Sequence, residues 1–144
     1  MKKFTAFFTI VILVIGIPIL SSCSDASDVI VITDDWFITQ LNEISNERDY
    51  YMGNTIQIEG MFNPMDLEWL DFTVYFVERY FFGCCGEERL GFQVYFDDEQ
   101  QLPESDEWVR VIGVLEECEA TPIGIRLRVL EFQTIPPGQA WVTN

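Results

Sequence analysis

The sequence contains no histidine, and its two lysines, Lys2 and Lys3, stand together at the N-terminus. Without histidine, the Ser-His-Asp and Cys-His arrangements of conventional nucleophilic catalysis are excluded. After residue 22, six arginines and 24 acidic residues give a formal charge of 6 − 24 = −18. Such a surface repels phosphate backbones, so nucleic acid is a poor candidate partner. No phosphate-binding loop or cofactor fingerprint is found, and the sequence therefore indicates a binding module and not an enzyme.

The N-terminus has the features of a secretion signal. The two lysines precede an uncharged, apolar run from Phe4 to Leu20, which is the pattern of a signal peptide. The run ends in Leu20-Ser21-Ser22-Cys23, which resembles a bacterial lipobox. We therefore predict a lipoprotein signal peptide over residues 1–22 and lipidation at Cys23; an uncleaved N-terminal anchor is the alternative. Both place the chain outside the cytoplasm, tethered to a bacterial membrane, most simply the cell membrane.

The mature chain has the length of one domain. We predict a lipidated tether over residues 23–34 and a folded domain over residues 35–144. Carboxylates at the start of a helix bond its free amides, and Asp34 and Asp35 precede apolar residues at helical spacing. This pattern predicts a helix from about residue 35 to residue 46.

Beyond the helix, the hydrophobic pattern changes to the alternation that is typical of β-strands. Five segments show it or are dense in β-branched and aromatic residues: NTIQIEGMF, DFTVYFVERYFF, GFQVYF, EWVRVIGVLEE and GIRLRVLEFQTI. The segments between them, including NPMDLEWLD and GCCGEERLG, are rich in turn-forming residues. The predicted fold is all-β with one N-terminal helix: a five-stranded, partly open barrel like the OB-fold. A β-sandwich is the alternative, although seven strands are expected there. We interpret the many aromatic residues as core filling.

Three motifs of the sequence match a known pattern. Tyr51 and Gly53 match the first motif, in which Asn54 replaces a lysine. The second motif is an Arg-aromatic pair that leads into Cys-Cys-x-x-Asp, and it is matched by Arg79, Tyr80, Cys84, Cys85 and Glu88, with Glu88 in place of the aspartate. The third motif is matched by Trp108, Val109, Val111 and Gly113. Together, these motifs resemble the extracytoplasmic C-terminal domain of the YcgQ-like bacterial membrane proteins.

This resemblance implies an OB-like domain and a place in a two-component permease complex of the membrane. It also marks Cys84, Cys85 and Glu88 as candidate functional residues. The chain differs from the family in one respect, because a lipobox stands where the family has membrane helices. The implied partners are therefore the membrane, through the lipid anchor, and an integral membrane protein of permease type.

If Cys23 carries lipid, three cysteines remain for other roles: Cys84, Cys85 and Cys118. Outside the cytoplasm, thiols tend to form disulfides. Consecutive Cα atoms lie about 3.8 Å apart, below the usual range of about 4.4–6.8 Å for a disulfide, so a bond between Cys84 and Cys85 is disfavoured. The predicted disulfide joins Cys84 or Cys85 to Cys118.

A metal site is the alternative role for these cysteines. Three thiolates and one carboxylate, from Cys84, Cys85, Cys118 and Glu88, would supply four ligands for zinc, or for copper(I), which prefers soft thiolates. Redox catalysis is a third role, but the pair lacks the usual Cys-x-x-Cys spacing. Two functional hypotheses follow: an accessory subunit that docks on a membrane protein, or a lipoprotein that binds a thiophilic metal.

The lipobox leads to the first testable prediction. Metabolic labelling with a fatty-acid analogue should mark the wild-type protein and not Cys23→Ala, because the acyl chains attach at that cysteine. Gel mobility of the processed chain is the second readout. A Cys23→Ala protein that is still labelled and still migrates as the wild type does would contradict the prediction.

Overall fold

The computed structural model of the protein describes residues 28–67, 72–97, 102–119 and 124–143. The predicted signal peptide, residues 1–22, and the lipidation site, Cys23, lie outside the described residues. Within the described ranges, nine elements follow one another: β1 (Ile30–Val31), a 3₁₀ helix (Asp34–Trp36), α1 (Phe37–Asn46), α2 (Arg48–Tyr51), β2 (Thr55–Leu67), β3 (Phe72–Gly83), β4 (Gly86–Tyr95), β5 (Trp108–Glu117) and β6 (Ile125–Thr134).

The five long strands form a sheet that curves back on itself. Strand β2 pairs with β5 through residues 55–61 and with β3 through residues 61–67, both antiparallel. Strands β3 and β4 form a hairpin, β5 and β6 are antiparallel, and β4 meets β6 in a parallel pairing of two residues. The order is therefore β2-β3-β4-β6-β5, with β5 returning to β2. The short pairing of β4 with β6 leaves the ring partly open, and the predicted OB-like fold with an N-terminal helix is confirmed.

Two strands are longer than the sequence pattern indicated. Strand β2 continues through Asn63–Leu67, a segment that the sequence predicts as a turn. Pro64 is tolerated there because this part of β2 pairs with β3 on one side only, within the described residues, and proline is confined to such edges. Strand β4 begins at Gly86, so Glu87 and Glu88 lie in the strand and not in a loop.

The segment before α1 belongs to the folded domain. Ile30 and Val31 pair in parallel with β2, and the Ile32 side chain is buried in the core. The Ile32 amide donates a hydrogen bond to the Gln57 carbonyl at 2.9 Å. Part of the segment predicted as a tether, residues 23–34, is thus packed against the sheet.

Helix α1 covers the core with one apolar face. Phe37, Leu41 and Ile44 recur at intervals of three and four residues, so they share one side of the helix, and all three are buried. They join a cluster with inward-facing residues of the strands, including Ile58 and Val111. None of the helices in the described part of the chain is long and apolar enough to cross a membrane.

A buried arginine connects the N-terminal segment to the sheet. The Arg79 side chain is 1% exposed, and its guanidinium lies over the rings of Phe37 and Trp108, 4.6 and 5.3 Å from their centroids. It donates one hydrogen bond to the Glu59 carbonyl at 2.7 Å and another to Asp34 Oδ1 at 2.6 Å. These partners come from the 3₁₀ helix, α1, β2 and β5, so one side chain of β3 holds four elements together.

Replacing this arginine should destabilise the fold. We expect Arg79→Ala to lower the free energy of unfolding by roughly 3 kcal/mol, because a charge-assisted hydrogen bond and two cation–π contacts are lost together with buried packing. Urea unfolding of a chain of residues 23–144 gives this value.

The matched control is Arg128→Ala, another arginine of the sheet. Arg128 is 37% exposed and lies 3.3 Å from a Glu116 carboxylate oxygen, so its loss should cost less than about 1 kcal/mol. Equal losses of stability in the two variants would contradict the central position of Arg79.

Candidate functional site

The two adjacent cysteines form the turn between β3 and β4. Gly83 and Gly86 are the last paired residues of the hairpin, and Cys84 and Cys85 lie between them, both exposed. Gly86 has a φ of +126°, a conformation that residues with a Cβ rarely adopt. Neither cysteine has a positive φ. We call residues 83–86 the hairpin tip.

Within the turn, the two thiols face each other. Their Sγ atoms are 3.4 Å apart, close enough for one thiol to donate a hydrogen bond to the other. This hydrogen bond raises the pKa of the Cys85 thiol, and lost hydration and the negative charge of Glu88 add to the effect. Cys85 therefore stays protonated near neutral pH, which makes it a poor nucleophile until it loses its proton.

Beside the hairpin tip, three aromatic rings form a stack on the outer face of the sheet. Tyr80 and Phe82 point the same way because side chains alternate along a strand. The Trp141 ring stacks on both, with centroid distances of 5.2 Å to Tyr80 and 4.5 Å to Phe82. Phe82 is 73% exposed. We call these three residues the aromatic stack.

The C-terminal segment places Trp141 in this stack. The Tyr80 amide donates to the Ala140 carbonyl and the Val142 amide donates to the Tyr80 carbonyl, both at 2.9 Å. The segment thus lies along β3 as a short parallel bridge. Val142 is buried on the inner side, which fixes the position of the neighbouring indole.

An ion pair supports the stack from the neighbouring strand. Arg89 lies opposite Tyr80 in the hairpin, with its guanidinium 4.9 Å from the centre of the tyrosine ring. Its Nη1 donates to Glu78 Oε1 at 2.9 Å, and that oxygen also accepts a hydrogen bond from Asn63 at 2.8 Å. The bond to Glu78 raises the pKa of Arg89 above its usual value. Arg89 therefore remains charged, and the ion pair holds it over the Tyr80 ring.

A glycine makes room for this ion pair. Gly91 lies opposite Glu78 in the hairpin. A Cβ at Gly91 would collide with the Val77 carbonyl and with the Glu78 backbone. The close approach of the two strands buries Glu78, which is 6% exposed. A buried carboxylate needs partners of this kind, because an unpaired charge is costly away from water.

Cys118 lies at the opposite end of the sheet from the hairpin tip. It follows β5, is buried, and its Sγ is 4.0 Å from Gln93 Oε1. Gln93 is seven residues along β4 from Gly86, which corresponds to about 23 Å in a strand. The end of β5 meets the start of β6, and β6 meets β4 at the end remote from the turn. Cys84 and Cys85 therefore do not share a rim of the sheet with Cys118.

The disulfide and the metal site proposed for these cysteines stay predictions, and the structure gives the positions of their residues. A disulfide from Cys84 or Cys85 to Cys118 is not present in the part of the chain that the structure describes. The four predicted metal ligands, Cys84, Cys85, Glu88 and Cys118, are not gathered either. Glu88 lies near the turn, where its carboxylate occupies the space above Gly83. Among the described residues, no three His, Cys, Asp or Glu side chains converge in a way that could hold a metal ion.

Our sequence interpretation missed the aromatic stack, because it assigned the aromatic residues to the core. The segment Glu78-Arg79-Tyr80-Phe81-Phe82 does indicate part of the stack. Side chains along a strand alternate between its two faces, so Tyr80 and Phe82 must face away from Arg79 and Phe81. No local pattern places Trp141 beside them, since it lies 61 positions after Tyr80.

Comparisons with known proteins place the chain in a family. Among solved structures, it resembles the second OB-fold domain of replication protein A from Methanococcus maripaludis, with 8% identity over 62% of this chain and 89% of that chain and a TM-score of 0.29. No curated protein matches the sequence. The family model of the DUF1980 C-terminal domain matches residues 20–140. The chain therefore belongs to the DUF1980 C-terminal domain family.

Proposed function

We propose that this protein is a lipid-anchored, extracytoplasmic interaction domain of a bacterial membrane, without enzymatic activity, that docks on an integral membrane protein of permease type through the aromatic stack. The observation that carries the proposal is the exposed Phe82 ring, held against Trp141 at a centroid distance of 4.5 Å. The permease-type partner follows from the resemblance to the YcgQ-like proteins.

The aromatic stack has the composition and rigidity of a binding surface. Tryptophan, tyrosine and arginine are the residues that contribute most binding energy at protein interfaces. Tyr80, Trp141 and Arg89 are already held by stacking, backbone bridges and the ion pair to Glu78. Little side-chain entropy is then lost when a partner covers them, which favours affinity.

The N-terminal anchor suits a partner in the same membrane. Ile30, which is fixed to β2, lies seven positions after Cys23, so an extended chain would reach about 25 Å at most. A lipid at Cys23 would therefore keep the domain close to the membrane surface. There it would meet the extracytoplasmic part of an integral protein at high effective concentration.

The charge of the domain favours a partner with basic residues around an apolar centre. The mature chain has a formal charge of −18 (six arginines minus 24 acidic residues). Glu87 lies directly across the hairpin from Phe82, and Glu88 lies across from Phe81. Glu87 therefore shares the outer face with the aromatic stack, and its carboxylate would steer a basic partner and add specificity more than affinity.

Metal binding by the three cysteines and Glu88 has weaker support. Zinc needs four ligands around one ion, and Cys118 lies at the far end of β4 from the hairpin tip. Two thiols and the exposed Glu88 carboxylate would form an incomplete site. The docking function needs no such rearrangement, because the aromatic stack is already assembled.

Site-specific crosslinking in host membranes tests the docking surface. A photoreactive phenylalanine analogue at position 82 should crosslink to an integral membrane protein, because this ring is the most exposed part of the stack. The matched control is the same analogue in place of Tyr50, which is 77% exposed on α2. Mass spectrometry identifies the crosslinked partner. The same adducts from both positions, or none from position 82, would contradict the proposal.

A substitution gives an independent measurement of the same surface. Phe82→Ala should reduce co-purification of the crosslinked partner by about tenfold or more, as expected for a residue that anchors an interface. Tyr50→Ala should leave it unchanged. Because Phe82 is largely exposed, its loss should change the stability of the domain little, and thermal unfolding of the variant checks this. Equal co-purification of the two variants would contradict the role of the stack.

A further inference from the structure

We infer that Cys84 and Cys85 are a redox modification site: the two thiols close reversibly into a disulfide between adjacent residues at the hairpin tip. The site involves neither Cys118 nor a metal. It is also independent of the docking function, because it rests on the geometry of the turn alone.

The turn removes the main obstacle to such a bond. In an extended strand, adjacent side chains point to opposite faces, which would keep the two sulfurs apart. Here Cys84 and Cys85 occupy the turn, and their Sγ atoms are 3.4 Å apart on the same side. A disulfide has an S–S distance of about 2.05 Å, so the sulfurs must approach by about 1.4 Å. Gly83 and Gly86 flank the pair, and glycine adapts its backbone more readily than any other residue.

Cys84 and Cys85 differ from Cys118 in their exposure to solvent. Cys84 and Cys85 are both exposed, whereas Cys118 is 7% exposed. An oxidant in solution therefore reaches the pair first. Access and loss of the thiol proton together control the rate of thiol–disulfide exchange.

The chemistry needs an oxidant, which is a disulfide of a small thiol or of a thiol–disulfide oxidoreductase. One cysteine loses its proton and attacks a sulfur of that disulfide, which forms a mixed disulfide and releases one thiolate. The second cysteine then loses its proton and attacks the sulfur of the first, which releases the other thiolate. One S–S bond forms between Cys84 and Cys85 as the S–S bond of the oxidant is lost. Two electrons pass to the oxidant, and its two thiolates take up the two protons.

A bond of this kind acts as a switch and adds little stability. The Cα atoms of adjacent residues are about 3.8 Å apart, below the usual range of about 4.4–6.8 Å, so the ring is strained and more easily reduced. It closes no loop of intervening residues, so it hardly constrains the unfolded chain. Strained, exposed disulfides are typically the labile and regulatory ones.

The arrangement of arginines makes the test direct. Cleavage after Arg79 and Arg89 releases the peptide Tyr80–Arg89, which contains both cysteines of the pair and not Cys118. The mature lipoprotein in detergent is equilibrated with glutathione buffers of increasing potential, in the presence of a chelator that removes metal ions. Free thiols are then trapped with an alkylating reagent in denaturant, and the peptides are weighed.

We expect a single two-electron transition in the peptide Tyr80–Arg89. The reduced form carries two alkyl groups, and the oxidised form carries none and is about 2 Da lighter than the unalkylated dithiol, since two hydrogens are lost. Cys118 should stay alkylated throughout, and Cys118→Ser should give the same transition. Cys84→Ser and Cys85→Ser should each give a glutathione adduct on the remaining cysteine.

Three outcomes would overturn the inference. The first is a wild-type peptide that carries glutathione on one cysteine while the other stays alkylated. The second is a disulfide that joins this peptide to the one with Cys118 or to its copy from another chain. The third is a pair that stays fully alkylated in the most oxidising buffer. Each of these three outcomes is measured on the wild-type protein, so none of them depends on whether a variant folds.

Discussion

A single buried guanidinium organises this domain. Arg79 is buried, and its guanidinium contacts the rings of Phe37 and Trp108 and is hydrogen-bonded to the Glu59 carbonyl and to Asp34. A buried cation is costly unless its donors are satisfied and its charge is balanced, so the elements that supply these partners must come together around it. The position of the N-terminal segment, of α1 and of the start of β5 follows from this requirement.

The residues of β3 that alternate with Arg79 form part of the exposed surface. Arg79 faces inward, and Tyr80 and Phe82 face outward, where Trp141 stacks on them. The main chain of Tyr80 bonds to the C-terminal segment on one side and pairs with β4 on the other. Strand β3 thus links a rigid core to an exposed aromatic surface, and the adjacent cysteines lie just beyond it in the turn.

Much of the fold could be predicted from the sequence, because local patterns encode it. The spacing of Phe37, Leu41 and Ile44 predicts α1, and alternation predicts the strands. The structure differs where a feature depends on distant residues. Arginine is rarely buried, and the partner that balances Arg79 lies 45 positions earlier. The rim on which Cys118 lies depends on the order of strands in the sheet, and no spacing along the chain reveals that order. The lipid anchor at Cys23 stays a prediction of the sequence.

Hydrogen exchange of the protein, with and without the membrane protein proposed as its partner, tests most directly whether the aromatic stack is the docking surface. The account predicts that the partner slows exchange of the amides around the stack, from Tyr80 to Arg89 and at Trp141 and Val142. It also predicts unchanged exchange in α2, Arg48–Tyr51. Slower exchange in α2, with the hairpin and the C-terminal segment unaffected, would contradict it.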